Sequence, residues 1–310
     1  MRVRGAALLM ALFIAAIATT IVSGLFWRQF VLVRTIDNEQ LMTQSRLLLR
    51  AALDWADAIL REDAATTNYD ALTEPWAQPL AETKLDQLGE SSSLASQASM
   101  SGGMEDAQGR LNLSNLVLNG APDPTQHDVL ARLASELSLP EPTADLITAY
   151  MVQSFAPITP TGAAPPLSQN LPLALVFPED LQRVPGLDPA VGAVLAPYVV
   201  VLGSRTPVNF NTASAELIAA EIPGLSLSDA RAMAAYRDRI PFRMNGDIRN
   251  WLNGRGNFQF SDMNVSVSSS YFFVRGEVKL QRADTRMEAL VTRAAAGQLG
   301  PVSILWEREL

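Results

Sequence analysis

The chain has no cysteine, so it carries neither a disulfide framework nor a thiolate metal site. It has a single histidine, His127, and any catalytic triad or His-based zinc site would have to use it. That residue stands in Pro124-Thr125-Gln126-His127-Asp128, just ahead of an apolar-periodic stretch, and reads as an exposed residue at a helix start. Basic charge is also short. Against 32 Asp plus Glu there are 24 Lys plus Arg, a net charge of −8, whereas nucleic-acid binding calls for a basic face. No proline occurs before Pro75, and Gly5 and Gly24 are the only glycines ahead of it. Nothing in the first segment is built to break a helix.

What the first segment does contain is apolar length. After the head Met1-Arg2-Val3-Arg4-Gly5, an uncharged run opens at Ala6 and closes at Trp27, softened only by Thr19, Thr20, Ser23 and Gly24. As a helix it spans ~33 Å, enough for a bilayer core of ~30 Å. Beyond Gln29 the pattern turns amphipathic, with Leu41, Leu48, Ala52, Trp55 and Ile59 at helical steps. One long helix is expected, half in lipid and half outside, up to ~80 Å in length and ending near Leu60. Three readings compete for it. A cleaved secretory signal has a shorter apolar core. A plain N-terminal anchor fits the physics. The third is a type IV pilin-like signal, in which a short basic leader ends in glycine and is clipped there. Arg2 and Arg4 before Gly5, with Ala6 next, resemble that leader. These two arginines favour the cytoplasmic side, although Arg28 and Arg34 lie beyond the other end of the span.

The length of 310 residues allows one large or two modest domains. Residues 63–103 look loop-like, and 91–103 are rich in Ser, Gly and small residues. Leu111, Leu113 and Leu116 suggest a strand entering a turn, and the sheet is expected to begin near residues 104–113. Asn112 and Asn115 fit backbone satisfaction in that turn, with oxygen ligation of a metal as the alternative. From Pro122 short helices alternate with turns. Val129, Leu130, Leu133, Leu137 and Leu139 mark one, residues 146–155 mark another, and a Pro/Gly-rich loop follows at 157–172.

An internal repeat comes next. Val184-Pro185-Gly186-Leu187-Asp188 and Ile222-Pro223-Gly224-Leu225-Ser226 each read as helix, tight turn and helix start. Proline ends the first helix, glycine allows the turn, and Asp188 or Ser226 can cap the second helix. Asn211 or Thr212 can cap the helix before the second turn. The pair resembles helix-hairpin-helix units of the SAM-like class. Such units can bind DNA phosphates, so a membrane-anchored nucleic-acid-binding protein is the rival function. Glu179, Asp180, Glu216, Glu221 and Asp229 around the turns oppose it, because phosphate affinity depends on Lys and Arg. An anchored enzyme is the other rival. No nucleophile, base and orienter set stands out, and Asp54 and Asp57 read as a solvated helix face.

From residue 257 onward the chain looks like strand. Phe258, Phe260, Val265 and Val267 alternate, followed by 271–280, 286–293 and 302–308. An antiparallel meander is expected, with one face covered by the second half of the first helix. The fold class is therefore α+β: a long N-terminal helix on an antiparallel sheet, with a large inserted helical domain of two SAM-like units. The expected divisions are a leader at 1–5, a membrane span at 6–27, and a helix with the first part of the sheet domain at 28–118. The helical insert is placed at 119–256 and the closing strands at 257–310.

At this point the chain resembles the minor pseudopilin K family of type II secretion systems over essentially its whole length. The resemblance rests on Arg4-Gly5-Ala6-Ala7-Leu8, on Glu74-Pro75-Trp76-Ala77, on the segment from Asp106 to Leu116, on Asn209-Phe210-Asn211-Thr212-Ala213 with its Pro-Gly turn, and on Ser270-Tyr271-Phe272. It implies cleavage between Gly5 and Ala6 by a prepilin peptidase and N-methylation of Ala6. It implies an inner-membrane protein with its bulk in the periplasm, no enzymatic activity, and a place at the pseudopilus tip with minor pseudopilins I and J. Most pilin-like proteins carry glutamate at the fifth mature position; here that position is Met10. A carboxylate in lipid needs a partner, and in pilins the partner is a neighbour's N-terminal amine. Lacking it, this chain suits the end of a fibre. The resemblance also implies calcium held by loop oxygens, but Tyr150-Met151-Val152-Gln153-Ser154-Phe155 lacks the aspartates expected there, and no ligands are assigned.

Overall fold

The computed structural model describes residues 3–88, 95–154, 171–294 and 300–310. Helix α1, Val3–Thr66, runs without a break, as a stretch free of proline and nearly free of glycine should. It spans roughly 96 Å at the standard helical rise. It continues past the expected end near Leu60, because Asp63 and Ala64 are buried on the same face as Leu49, Leu53, Ala56 and Leu60. This spacing of three and four residues lays one stripe of the helix on the sheet.

The sheet has five antiparallel strands in the order β1-β2-β9-β10-β11. Here β1 is Leu80–Lys84, β2 is Ala98–Asp106, and the meander β9, β10 and β11 is Tyr271–Leu280, Ala283–Thr292 and Ser303–Glu309. The reading of residues 63–103 as loop is thus corrected: Leu80–Lys84 is strand, the small-residue stretch is strand from Ala98 onward, and Met104 to Asp106, near which the sheet was expected to begin, only finish that strand. Its small residues are there because the backbones come close. Gly102 pairs with Gly276, and a Cβ on Gly276 would already crowd Leu49 of α1 at 3.1 Å. On the helix side Phe272, Val274, Val278, Leu280, Met287, Ala289 and Val291 join Leu49, Leu53, Ala56 and Leu60 in one core. Trp76, in the 3-10 turn Pro75–Ala77, closes its end against Phe272 at 5.1 Å.

Between β2 and β9 lies the helical insert. Short pairings open it: β3, Leu111–Asn112, then β4, Val117–Leu118, against β5, Ala121–Pro122. As the spacing of Leu111, Leu113 and Leu116 suggests, a strand enters a turn here: Leu111–Asn112 are extended and Leu113–Leu116 form a 3-10 turn. Helices α2, Pro124–Glu136, and α3, Thr143–Ser154, follow, and then α4, Pro189–Leu195. Strand β6, Val199–Val200, pairs parallel with β3, and β7, Val208–Asn209, pairs parallel with β8, Val265–Ser266. Helices α5, Ala215–Glu221, α6, Leu227–Arg237, and α7, Asn245–Leu252, lie between β7 and β8. The helices share one large core around Leu130, Leu133, Ile147, Phe210, Leu217 and Ile218. Phe258 and Phe260 are not strand, contrary to expectation; Phe260 packs at 6.3 Å on Phe210 instead. Most of the 157–172 loop falls outside the described residues.

The insert also covers the second face of the sheet. Phe273 and Leu290 are buried beneath Val200 and Leu202, and Phe177 meets Trp306 edge-on at 4.9 Å. A line of charges crosses this face. Arg110 bonds Glu105, Glu105 bonds Arg275 at 2.5 Å, Arg275 bonds Glu288 at 2.7 Å and Glu288 bonds Arg308 at 2.5 Å. Arg308 then reaches Glu179 of the insert at 3.3 Å.

Gly102 gives the sharpest test of this packing. A Cβ there would collide with the Arg275 carbonyl oxygen, whereas one on Gly103 would meet only Pro79 at an ordinary 3.6 Å. Overpacking of this kind costs about 1–3 kcal/mol. Gly102→Ala should therefore melt several degrees below Gly103→Ala. Equal melting temperatures would show that the close approach at Gly102 is not a constraint.

Candidate functional site

Two features combine here: an exposed apolar helix half and a buried junction that holds the other half. In the first, Leu8, Leu9, Met10, Phe13, Phe26 and Trp27 are all exposed. The helix from Ala6 onward is long and apolar enough to cross a membrane, and its most apolar window has no buried residue. Gly5 and Ala6 both lie within α1.

The junction sits where α1 ends, β10 ends and the insert begins. Arg293 is its centre, with a side chain 1% exposed. Its guanidinium bonds Asp63 at 2.7 Å, the Leu60 carbonyl at 2.9 Å and the Asp70 carboxylate, and it lies over the Phe272 ring at 4.7 Å. Asp70 also accepts the Ser269 N–H at 2.7 Å. Next to it Asp106 accepts from Thr212 Oγ1 at 2.6 Å, Ser269 Oγ at 2.7 Å and Asn209 Nδ2 at 2.8 Å. The Asn209 amide donates to the Asp70 carbonyl as well, at 3.0 Å. Gly109 packs so closely on Thr212 that a Cβ would stand 2.9 Å from its hydroxyl. The segments 106–116 and 209–213, which carried the family resemblance separately, are thus two halves of one contact. The expected cap changes accordingly: with Asn211 bonded to Phe242 and Thr212 to Asp106, Ser214 caps α5 by accepting the Leu217 N–H.

The junction holds more acid than base. Burial, together with the nearby Asp106 and Asp63, pushes the Asp70 carboxyl up to about 8 despite Arg293. Burial also pushes Asp106 up. Glu74 accepts the Ala71 N–H at 2.7 Å and Trp76 Nε1 at 3.1 Å, which explains the Glu-Pro-Trp order.

Among the described residues, Asp63, Asp70 and Glu74 form the one carboxylate group with metal-site spacing, their oxygens lying within 4.8 Å of one another. It does not fit calcium, which takes six to eight oxygen ligands. Arg293 already bonds both aspartates, and backbone or indole N–H groups hold other oxygens. Asn112 and Asn115 do not offer a site either. Asn112 Oδ1 accepts the Ser114 and Leu202 N–H groups, and Asn115 Oδ1 accepts that of Thr206.

Gly186 and Gly224 take φ of 83° and 82°, immediately after Pro185 and Pro223, so each hairpin uses the left-handed turn that glycine permits. Asp188 and Ser226 cap the helices that follow. Around the turns Asp180 pairs with Arg183 at 3.2 Å and Glu216 with Arg231 at 3.7 Å. Glu221 is buried, and its Oε1 has no partner; burial pushes its carboxyl up to about 8, with Arg132 opposing. His127 bonds Asp145 of α3 at 2.8 Å, a tie between helices. Sequence reasoning missed Asp70 and Arg293, and no local pattern marks either.

A long, partly exposed N-terminal helix laid on an antiparallel sheet defines a pilin-like membrane-anchored subunit. Residues 109–204 and 208–268 match two family models, both described as type II secretion system (T2SS), protein K. Together they cover half of the chain. The type II secretion system protein K of Pseudomonas aeruginosa is 26% identical over 329 residues, spanning 97% of this chain and 91% of that one. A chain in the crystal structure of the GspK-GspI-GspJ complex from the enterotoxigenic Escherichia coli type 2 secretion system shares the fold. It has a TM-score of 0.64 and 20% identity, covering 88% of this chain and 98% of that one. The chain belongs to the type II secretion system protein K family and is a minor pseudopilin.

Removing the central cation should be severe. Arg293→Gln leaves the buried Asp63 without its partner, a loss of about 3–5 kcal/mol. Without Arg293 the folded-state pKa of Asp70 rises further above the unfolded value. Asp70 is neutral up to about pH 8 in the wild type, so wild type and variant lose its stabilisation in parallel below that, and the defect in melting temperature should widen only as pH climbs above about 8. A defect independent of pH would show that charge is not its cause. Glu221 follows the same sign without a direct ion pair. Its stabilisation as the neutral acid is complete below its ordinary pKa and fades as pH rises through about 8. Glu221→Gln should flatten the alkaline decline of the melting temperature, and superimposable profiles would refute the assignment.

Proposed function

We propose that this minor pseudopilin is a non-enzymatic tip subunit of the pseudopilus, supporting its initiation and the export of folded proteins across the outer membrane. The observation that carries this reading is the continuity of α1. The same helix that presents exposed Leu9, Phe13 and Phe26 buries Leu49, Leu53 and Leu60 in the sheet core. Such a helix leaves lipid and enters a fibre without any change of secondary structure. Cleavage after Gly5 makes Ala6 the new, N-methylated terminus and places Met10 at the fifth position. That subunit lacks the carboxylate that would pair with a neighbour's amine above it, which suits a terminal position. The insert adds bulk beside the sheet.

The anchor lies in the inner membrane with residues from Arg28 onward in the periplasm. Partners are minor pseudopilins I and J, which the related solved chain accompanies in its complex, and prepilin peptidase acts as the processing enzyme. The acidic surroundings of the two hairpins speak for protein contacts rather than nucleic acid. Calcium, implied by the family resemblance, would be held by residues other than Asp63, Asp70 and Glu74. A melting temperature raised by calcium equally in wild type and Asp63→Asn would support that placement.

Intact mass of the chain from membranes, with and without prepilin peptidase, tests the main reading. The expected result is loss of Met1 to Gly5 plus one methyl group when the peptidase is present. An uncut chain in both samples would make α1 an ordinary anchor.

A further inference from the structure

The corner where α6 gives way to α7 has a surface that its own chain leaves unused. Among the described residues beyond Arg34, every arginine side chain reaches a carboxylate, a carbonyl or amide oxygen or a ring, except Arg239 and Arg243. In a chain with net charge −8, two exposed guanidinium groups four residues apart without a partner are out of pattern. They stand among Tyr236, Ile240 and Met244, which are 40%, 57% and 62% exposed.

The backbone under these side chains is held firmly. Asn211 bonds Phe242 twice, its Nδ2 donating to the carbonyl at 2.8 Å and its Oδ1 accepting the N–H at 2.9 Å. Asp247 accepts the N–H groups of Arg243 and Met244 at 2.8 and 3.2 Å. Tyr236 stacks on the buried Phe242 at 5.8 Å. The nearby acids are engaged: Asp247 in these bonds, and Asp238 with Arg237 at 3.5 Å. The patch is therefore ordered in advance, so little conformational entropy is lost when it binds. Its composition of Tyr, Met and Arg is that of interface centres.

We propose that Tyr236, Arg239, Ile240, Arg243 and Met244 form a docking surface for an acidic segment of a partner protein. Carboxylates of that segment pair with Arg239 and Arg243, and an apolar side chain between them packs on Ile240 and Met244. Charge complementarity selects the occupant. A phosphate polymer is disfavoured because the patch is at the far end of α6 from the Gly224 turn, and that turn is ringed by Glu216, Glu221 and Asp229. This surface lies on the insert, and its existence does not depend on a tip position.

The test uses the full chain in phosphatidylcholine nanodiscs and fluorescence anisotropy of a dye-labelled peptide alternating Glu and Leu. Binding should weaken as salt rises. It should fall at least about ten-fold in the double variant Arg239→Gln, Arg243→Gln and in Ile240→Ser, Met244→Ser, as expected for truncated interface centres. The melting temperatures of both variants should stay near wild type, because the altered side chains are exposed. A peptide alternating Gln and Leu should bind weakly. No binding of the acidic peptide, or unchanged affinity in both variants, overturns the proposal. Tighter binding of a single-stranded oligonucleotide or an anionic vesicle, lost in the arginine variant, overturns it in favour of phosphate recognition.

Discussion

A buried guanidinium cannot be left without partners, and in this protein that constraint falls on Arg293. Its side chain is almost inaccessible, and its bonds run to Leu60 and Asp63 on α1 and to Asp70 just after it. Because a charge in a low-dielectric interior needs specific partners, α1 can dock on the sheet in only one register. Asp70 and Ser269 then pass the constraint on to Asp106, Asn209 and Thr212. Helix, sheet and insert are thus joined by one polar network in addition to their apolar contacts.

For an anchored fibre subunit, this joint has a mechanical meaning. The exposed apolar half and the sheet-packed half are one helix with no intervening linker. Leu49, Leu53 and Leu60 tie this helix to the sheet. The Arg293 network and, on the opposite face, the ion pairs from Glu105 to Glu179 tie the sheet to the insert. The sheet is a middle layer held on both sides.

Much of this was legible in the chain itself. The uncharged run to Trp27, the helical spacing of Leu41 to Ile59, the paired Pro-Gly turns and the alternating 271–280 segment all carry local periodicity or punctuation. Strand β2 was not legible, because Ser99, Ser101, Gly102 and Gly103 have the composition of a loop. They are extended because β1 and β9 pair with them on either side. Phe258 and Phe260 erred in the other direction, alternating like a strand with no neighbour to pair with. The cap at Ser214 was displaced from Asn211 and Thr212 because those side chains were taken by distant partners.

The distinction between the two kinds of information is physical. Properties that depend on neighbours within a turn or two, namely the helix, its apolar half, the hairpin turns and the meander, follow from residue order alone. Arg293 with Asp70, 223 positions apart, and Asp106 with Asn209, 103 apart, leave no local trace. A buried polar partner is chosen by where the folded chain brings it, and only the tertiary structure decides that. The same holds for Arg239 and Arg243: the sequence shows two arginines, and only the fold shows that among the described residues no side chain meets their guanidinium groups.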